Sequence, residues 1–226
     1  MKKDLAIVLV SGGLDSCVAA AIAQQNYKTA FLHANYGQRT EDRELKAFND
    51  IADHYRVDRR LIADIGYLKE IGGSSLTDDT ITMDAPEPNG MDIPSTYVPF
   101  RNTHLLAIAT SWAEVIGAHQ IFIGAVEQDS SGYPDCRTVY FKAFDQLIKK
   151  GTKPDTSITI QTPIINLTKK DIVVKAMELN APLHLTWSCY QNNSRACGVC
   201  DSCFLRLKGF KEAGLNDPIP YDRPKR

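Results

Sequence analysis

An open, mainly parallel α/β sheet with helices on both faces, followed by a small C-terminal metal module, is the fold class this sequence predicts. Three observations predict it. Short apolar runs alternate with helical patterns, a glycine-rich turn follows the first apolar run directly, and four cysteines crowd the C-terminal part of the chain. The 226 residues are 43% hydrophobic and carry a formal net charge of −1. One sizeable core is within reach of such a chain, so we expect an α/β unit over 1–183 and an appendage over 184–226.

The elements follow in order. Leu5 to Val10 is wholly apolar and rich in branched residues, as a strand buried on both faces would be. Asp15 to Gln25 is alanine-rich and opens on an Asp-Ser pair suited to a helix start. Thr29 to Ala34 returns to strand character. From Thr40 to Tyr55, Leu45, Phe48, Ile51, Ala52 and Tyr55 recur at helical spacing. Arg60 to Ile65 reads as a third strand. Residues 72 to 99 break the rhythm with glycine pairs and several prolines, and such a long loop is expected at an active-site rim. Thr103 to Ile116 is a core helix, Gln120 to Val126 a strand, Val139 to Lys150 a helix and Ser157 to Ile164 a strand. Thr168 to Leu179 is a helix whose Thr168 and Asp171 form an acidic variant of the capping box. A last helix is expected from Asp201 to Ala213, and the tail from Pro218 to Arg226 is expected to fray.

The bulk numbers narrow the function. A near-neutral charge balance argues against a chain-wide electrostatic hold on nucleic acid and favours small-molecule chemistry. No apolar stretch approaches the roughly 20 residues that span a bilayer. The apolar run after Met1-Lys2-Lys3 is too short for a secretory segment and leads straight into Ser-Gly-Gly. The expectation is a cytoplasmic protein without membrane contact.

Ser11-Gly12-Gly13-Leu14-Asp15-Ser16 lies between the first strand and the first helix. A parallel strand turning into a helix leaves backbone N–H groups unpaired at the positive end of the helix dipole. Two glycines let that backbone close around an oxyanion, and the serine hydroxyls add donors. The plainer reading is an ordinary strand-to-helix turn. There is no Gly-Lys-Ser/Thr and no G-x-G-x-x-G, so neither a Walker loop nor a dinucleotide fold is indicated.

Cys189, Cys197, Cys200 and Cys203 read C-x₇-C-x₂-C-x₂-C. Four thiolates with no open position suit structural zinc, and an iron–sulfur cluster is the competing occupant. Cys17 and Cys136 stand apart; Cys17 is read as a small core residue, while Cys136 stays ambiguous. His33 and His54 look like packing or surface residues, Trp112 belongs to the core helix, and Trp187 is placed beside the metal site.

The Ser-Gly-Gly-x-Asp-Ser string resembles the pyrophosphate loop (PP-loop) of the N-type ATP pyrophosphatases, whose adenine-nucleotide α-hydrolase-like fold matches the expected sheet. The matching stretches extend over nearly the whole chain. They include Tyr36-Gly37-Gln38-Arg39, Ser74-Ser75-Leu76-Thr77, Val98-Pro99-Phe100-Arg101-Asn102 and Ser131-Gly132-Tyr133-Pro134-Asp135-Cys136-Arg137, besides the cysteine cluster. Together they resemble the 7-cyano-7-deazaguanine synthase family. The chain departs from the family's pattern at Phe100, where glycine usually precedes Arg-Asn.

The resemblance implies a ligase that joins ammonia to 7-carboxy-7-deazaguanine with consumption of ATP, releasing AMP and pyrophosphate. It implies that Val10, Ser11, Gly12, Gly13, Leu14, Asp15, Ser16 and Cys17 surround the nucleotide, with Asp15 positioning Mg²⁺. Ser11, Asp15, Ser16 and Arg101 are the expected catalytic residues. Arg101, Asn102, Glu127, Asp129, Tyr133 and Asp135 are the expected substrate contacts, since a carboxylate can pair with a guanine-like edge and an Arg fork suits oxyanions. Solvated loop charges are the plainer reading of the acidic ones. Structural Zn²⁺, a homodimer and no direct nucleic-acid partner complete the expectation. The rival readings are a tRNA thiolation enzyme of the same fold and a non-catalytic nucleotide-binding zinc protein.

Overall fold

The computed structural model describes residues 3–84, 93–127 and 132–222. Its centre is a five-stranded sheet in the order β3-β2-β1-β4-β5, with every pairing parallel. These strands are β1 (Leu5–Leu9), β2 (Lys28–Asn35), β3 (Arg60–Asp64), β4 (Gln120–Ile123) and β5 (Thr159–Gln161). The helices are α1 (Leu14–Asn26), α2 (Glu41–His54), α3 (Tyr67–Ile71), α4 (Arg101–Ile116), α5 (Thr138–Gly151), α6 (Lys169–Glu178) and α7 (Asp201–Glu212).

β1 lacks polar residues because it is the middle strand, paired with β2 on one side and β4 on the other. Its alternating side chains feed two separate cores. Ala6, Val8 and Val10 pack with Phe48 and Ile51 of α2, Ile172 of α6 and the buried face of α1. Ile7 and Leu9 pack with Leu106 of α4 and with Phe141 and Phe144 of α5. The sheet is thus covered on both faces, as the sequence predicts.

The differences from expectation are local. β4 and β5 are shorter than the apolar runs that contain them. Ala125, Val126 and Ile164 are buried as irregular backbone beyond the strand ends, so burial alone gave them strand character. α3 lies where no helix is expected, and α4 opens at Arg101 rather than Thr103. The position before it, Phe100, has φ 61°, the left-handed region where glycine is at ease and a bulky side chain is strained. That conformation supplies a physical reason for the glycine usual in the family. The α6 capping box is present in both directions between Thr168 and Asp171.

Both ends of the long loop are packed against the body. Arg39 donates from Nε to the Ser75 carbonyl at 2.8 Å and from Nη2 to the Asp78 carbonyl at 3.0 Å. Ser74, Ser75, Thr77 and Thr96 are buried there, while Leu76 and Val98 pack with Tyr36, Ile65 and Leu68. The tail corrects the sequence reading as far as Asp222. Ala196 donates to the Pro220 carbonyl at 2.9 Å, Asp222 donates back to the Ala196 carbonyl at 2.9 Å, and Ile219 is buried.

Candidate active site

The strand order reverses at β1, so the chain leaves β1 and β4 in opposite directions and opens a crevice at their carboxyl ends. Open α/β sheets bind ligands at such a point. A cavity of about 270 Å³ lies there. The loop after β1 forms one wall, and the segment after β4 presses against it closely. A Cβ on Gly124 would stand 2.7 Å from the Asp15 carbonyl carbon, which only glycine avoids.

Within the loop, Gly12 has φ 94°, and a side chain on it would meet the Glu44 carbonyl oxygen of α2 at 2.7 Å. Gly13 precedes α1, and no side chain caps the first turn of that helix. The Gly13 N–H reaches Ser11 Oγ at 3.2 Å, and the Ser11 and Ser16 hydroxyls lie 3.1 Å apart. Val10, Ser11, Gly13, Leu14, Asp15 and Ser16 line the cavity. Two residues expected at the nucleotide do not. Gly12 faces α2, and Cys17 is fully buried in the core with its N–H bonded to the Gly13 carbonyl at 3.1 Å. Burial raises the Cys17 thiol to about 12, so it is inert as a nucleophile.

Across the cavity stands Arg101, at the first turn of α4. Its guanidinium lies 5.0 Å over the Tyr36 ring and donates to the Tyr36 hydroxyl at 2.9 Å. Tyr133 and Tyr190 line the same wall. Among the described residues no carboxylate forms an ion pair with Arg101. Asn102 and Asp135 hold one another: the Asn102 N–H donates to Asp135 Oδ2 at 2.9 Å, and its side-chain amide donates to the Asp135 carbonyl at 2.8 Å. Burial raises the Asp135 carboxyl above the usual carboxylate range, with that N–H bond working the other way. Asp135 therefore anchors the start of α4, and of the two only Asn102 lines the cavity. Tyr133 donates to Thr96 Oγ1 at 2.8 Å, which ties the loop end to the wall. Glu127 accepts from the N–H and hydroxyl of Thr138 at 2.9 and 2.5 Å and so caps α5, away from the cavity lining. Asp129 lies outside the described residues.

The Sγ atoms of Cys189, Cys197, Cys200 and Cys203 all lie within 4.8 Å of one another. A tetrahedral ion at about 2.3 Å from each sulfur fits a set of that size. Cys189 Sγ accepts backbone N–H bonds from Gln191, Asn192 and Cys197 at 3.3 to 3.4 Å. Cys197 Sγ accepts from Val199 and Cys200 at 3.4 and 3.3 Å. Such donors favour the thiolate form that a metal needs. Trp187 packs in this cluster as expected, and its N–H donates to the Gly12 carbonyl at 2.8 Å. The cysteine cluster thereby touches the glycine-rich loop.

A family model described as queuosine biosynthesis protein QueC matches residues 5–214. The chain belongs to the QueC family. A 7-cyano-7-deazaguanine synthase of Chlorobium phaeobacteroides is 57% identical over 219 residues, covering 96% of this chain and 97% of that one. The enzyme of the same name from Chloroherpeton thalassium is 58% identical over 217 residues, with 96% of both chains covered. A solved structure, a predicted subunit of tRNA methyltransferase from Methanocaldococcus jannaschii, aligns with a TM-score of 0.49 at 14% identity, covering 99% of this chain and 94% of that one. That likeness carries no argument.

In this QueC-family chain the cavity also holds residues that sequence reasoning did not single out. Lys169, at the start of α6, places Nζ 2.6 Å from Asp15 Oδ2. Asp15 Oδ1 is buried without a hydrogen-bond partner. Glu44 of α2 lines the cavity with its Oε1 accepting from the Thr40 hydroxyl at 2.7 Å and its Oε2 from the Gln38 amide at 3.3 Å. Burial pushes its carboxyl up to about 7 against the pull of those two donors. Trp187, Tyr190 and Arg206 line the cavity from the segment expected as an appendage. Arg206 is 1% exposed and grips Asp217 through Nε at 2.6 Å and Nη2 at 2.9 Å. It also donates to Thr186 Oγ1 at 2.8 Å. Only the Tyr-Gly-Gln-Arg string pointed near Glu44, and nothing local marks Lys169, whose partner lies 154 positions away.

Proposed function

We propose that this chain is a 7-cyano-7-deazaguanine synthase, an ATP-dependent ligase that makes the nitrile of a 7-deazaguanine from its carboxylic acid and ammonia. One observation carries the reading beyond family membership. Arg101, which forms no ion pair among the described residues and is set among tyrosines, lines the same cavity as an oxyanion-binding loop. A nucleotide on the loop and an aromatic acid on the tyrosine wall would meet between them.

A carboxylate is a poor electrophile because its oxygens leave badly, so activation comes first. The backbone of Gly13 to Ser16, with the Ser11 and Ser16 hydroxyls, holds the β,γ-pyrophosphate at the positive end of α1. Arg101 orients the substrate carboxylate toward the α-phosphorus and offsets its charge. Tyr36, Tyr133 and Tyr190 offer ring faces and hydroxyls to the heterocycle. The carboxylate oxygen attacks the α-phosphorus, and pyrophosphate leaves. Ammonia then displaces AMP to give the amide. The amide oxygen is adenylated in turn at the same place, and loss of the second AMP leaves C≡N.

The unpartnered Oδ1 of Asp15 fits a Mg²⁺ ion, which when bound would supply Lewis-acid stabilisation of the phosphates. Lys169 keeps Asp15 from repelling the polyphosphate when the ion is away. Cys189, Cys197, Cys200 and Cys203 hold structural Zn²⁺ in a closed site, a choice of metal supported by the four-sulfur donor set. A homodimer in the cytoplasm completes the reading, and no observation favours the tRNA thiolation alternative.

Mass spectrometry on the protein incubated with Mg-ATP, ammonium and 7-carboxy-7-deazaguanine tests the function. Nitrile accompanied by AMP supports it. Unchanged acid from folded, metal-loaded protein contradicts the substrate assignment. Metal analysis and light scattering on the same preparation test zinc against iron and dimer against monomer.

A further inference from the structure

Ammonia is mostly ammonium at neutral pH, and an ammonium nitrogen has no lone pair with which to attack. The reaction therefore needs a proton acceptor at the point where nitrogen meets the adenylated carboxyl. Asp15 is tied to Lys169. Asp135 is used at the start of α4 and does not line the cavity, and Glu127 caps α5. Glu44 is the carboxylate that remains, among the described residues, on the cavity wall outside an ion pair. Its own residue abuts the nucleotide loop, with the Glu44 carbonyl 2.7 Å from where a Gly12 Cβ would stand. Its carboxylate shares the cavity with Arg101 and Tyr36 on the substrate wall. We propose that Glu44 is a further catalytic residue, whose carboxylate takes the proton that ammonium must lose before nitrogen attacks the adenylated acid.

The inference rests on the function proposed above. One N–H bond of ammonium breaks, and its proton passes to Glu44. The freed lone pair forms the C–N bond as the C–O bond to phosphate breaks. AMP leaves with that electron pair, and the second proton shed by nitrogen departs with the phosphate. Glu44 then returns its proton to solvent through the cavity mouth.

The surroundings suit this work. Thr40 and Gln38 each donate one hydrogen bond and so fix the carboxylate in place. The charged and titratable groups that act on it are Glu41 on its own helix, Arg101 from α4 and Tyr36 from the end of β2. Glu41 and burial raise its proton affinity, while Arg101 and the two hydrogen bonds lower it. The resulting value, about 7, lies where an acid–base group transfers protons most efficiently at neutral pH.

Glu44→Gln tests the proposal in the whole protein. Acid-dependent exchange of pyrophosphate into ATP reads adenylation alone and should stay close to wild type. Amide formation from ammonium at pH 7 should fall about 100-fold, the lower range for loss of a general base. Hydroxylamine is largely unprotonated at that pH and needs no acceptor, so hydroxamate should form at nearly the wild-type rate. Partial return of the ammonium reaction in Glu44→Asp would add support. Equal loss with ammonium and hydroxylamine, loss of the exchange reaction, or an unimpaired ammonium reaction would each overturn the role. If wild-type protein itself fails in the exchange with this acid, the function reading fails instead.

Discussion

Lys169 Nζ stands 2.6 Å from Asp15 Oδ2, joining the first turn of α6 to the glycine-rich loop after β1. The backbone behind Lys169 is in turn touched by Gly209 of α7. A Cβ on Gly209 would meet Lys169 Cβ at 2.8 Å and its carbonyl oxygen at 2.9 Å. The helix that carries Cys203, the last cysteine of the cluster, therefore braces the lysine that steadies Asp15. Metal module, lysine and loop form one mechanical series.

Replacing the lysine should expose this dependence. Lys169→Met keeps an unbranched side chain one atom shorter and removes its charge, leaving Asp15 to repel the incoming phosphates. AMP formation is expected to fall in kcat/KM by about 100-fold, as when one preorganised charge-stabilising donor is lost. Steady-state assays at saturating and limiting ATP check it.

Gly209→Ala should act on the same lysine from behind. The added methyl has to displace α6 or α7, which costs about 1–3 kcal/mol for an overpacked contact. A lower melting temperature together with a raised KM for ATP is the expected pair of effects. A stability loss with unchanged ATP kinetics would show that the series does not transmit.

Metal removal should reach the loop as well. The Trp187 N–H bonds the Gly12 carbonyl at 2.8 Å, its ring N–H bonds the Asn192 carbonyl at 3.0 Å, and Arg43 lies 4.4 Å over the ring. Chelation frees the thiolates and releases this packing, so tryptophan emission should shift to longer wavelength as ATP affinity is lost. Fluorescence and ATP titration on the same chelated sample check both, and added Zn²⁺ should restore them.

Glu44 also writes itself into stability against pH. Its folded value, about 7, lies above the ordinary carboxylate range because of burial, so the folded state holds the proton more tightly. The stability this contributes is fully present below the unfolded value and is lost as pH rises through about 7. Wild-type stability relative to Glu44→Gln should therefore fall by on the order of 2 kcal/mol between pH 5 and pH 8. Denaturant titrations at the two pH values measure the difference.

Much of the fold was legible because it rests on local pattern. The apolar run of β1, the helical spacing of Phe48 and Ile51 and the Thr168–Asp171 box each carry their structure in a few neighbouring residues. The loop and the cysteine set were legible for the same reason. Lys169, Arg206 and Gly209 were not, because their meaning lies in partners far along the chain. A lysine at a helix start looks like any solvated lysine until the fold sets it against Asp15. Glu127 and Asp135 were read toward substrate because they follow β4, yet helix starts use both. The tail reads as polar and proline-rich, and its packing as far as Asp222 comes from the bridge between Ala196 and Tyr221 together with the burial of Ile219.

If one loop adenylates first a carboxylate oxygen and then an amide oxygen, both oxygens of the acid end in AMP. The most direct measurement starts from 7-carboxy-7-deazaguanine carrying ¹⁸O in both carboxyl oxygens and follows the label by mass spectrometry. Each nitrile formed should be matched by two AMP molecules, each carrying one ¹⁸O, with unlabelled pyrophosphate. Unlabelled AMP, or ADP with labelled phosphate, would contradict it.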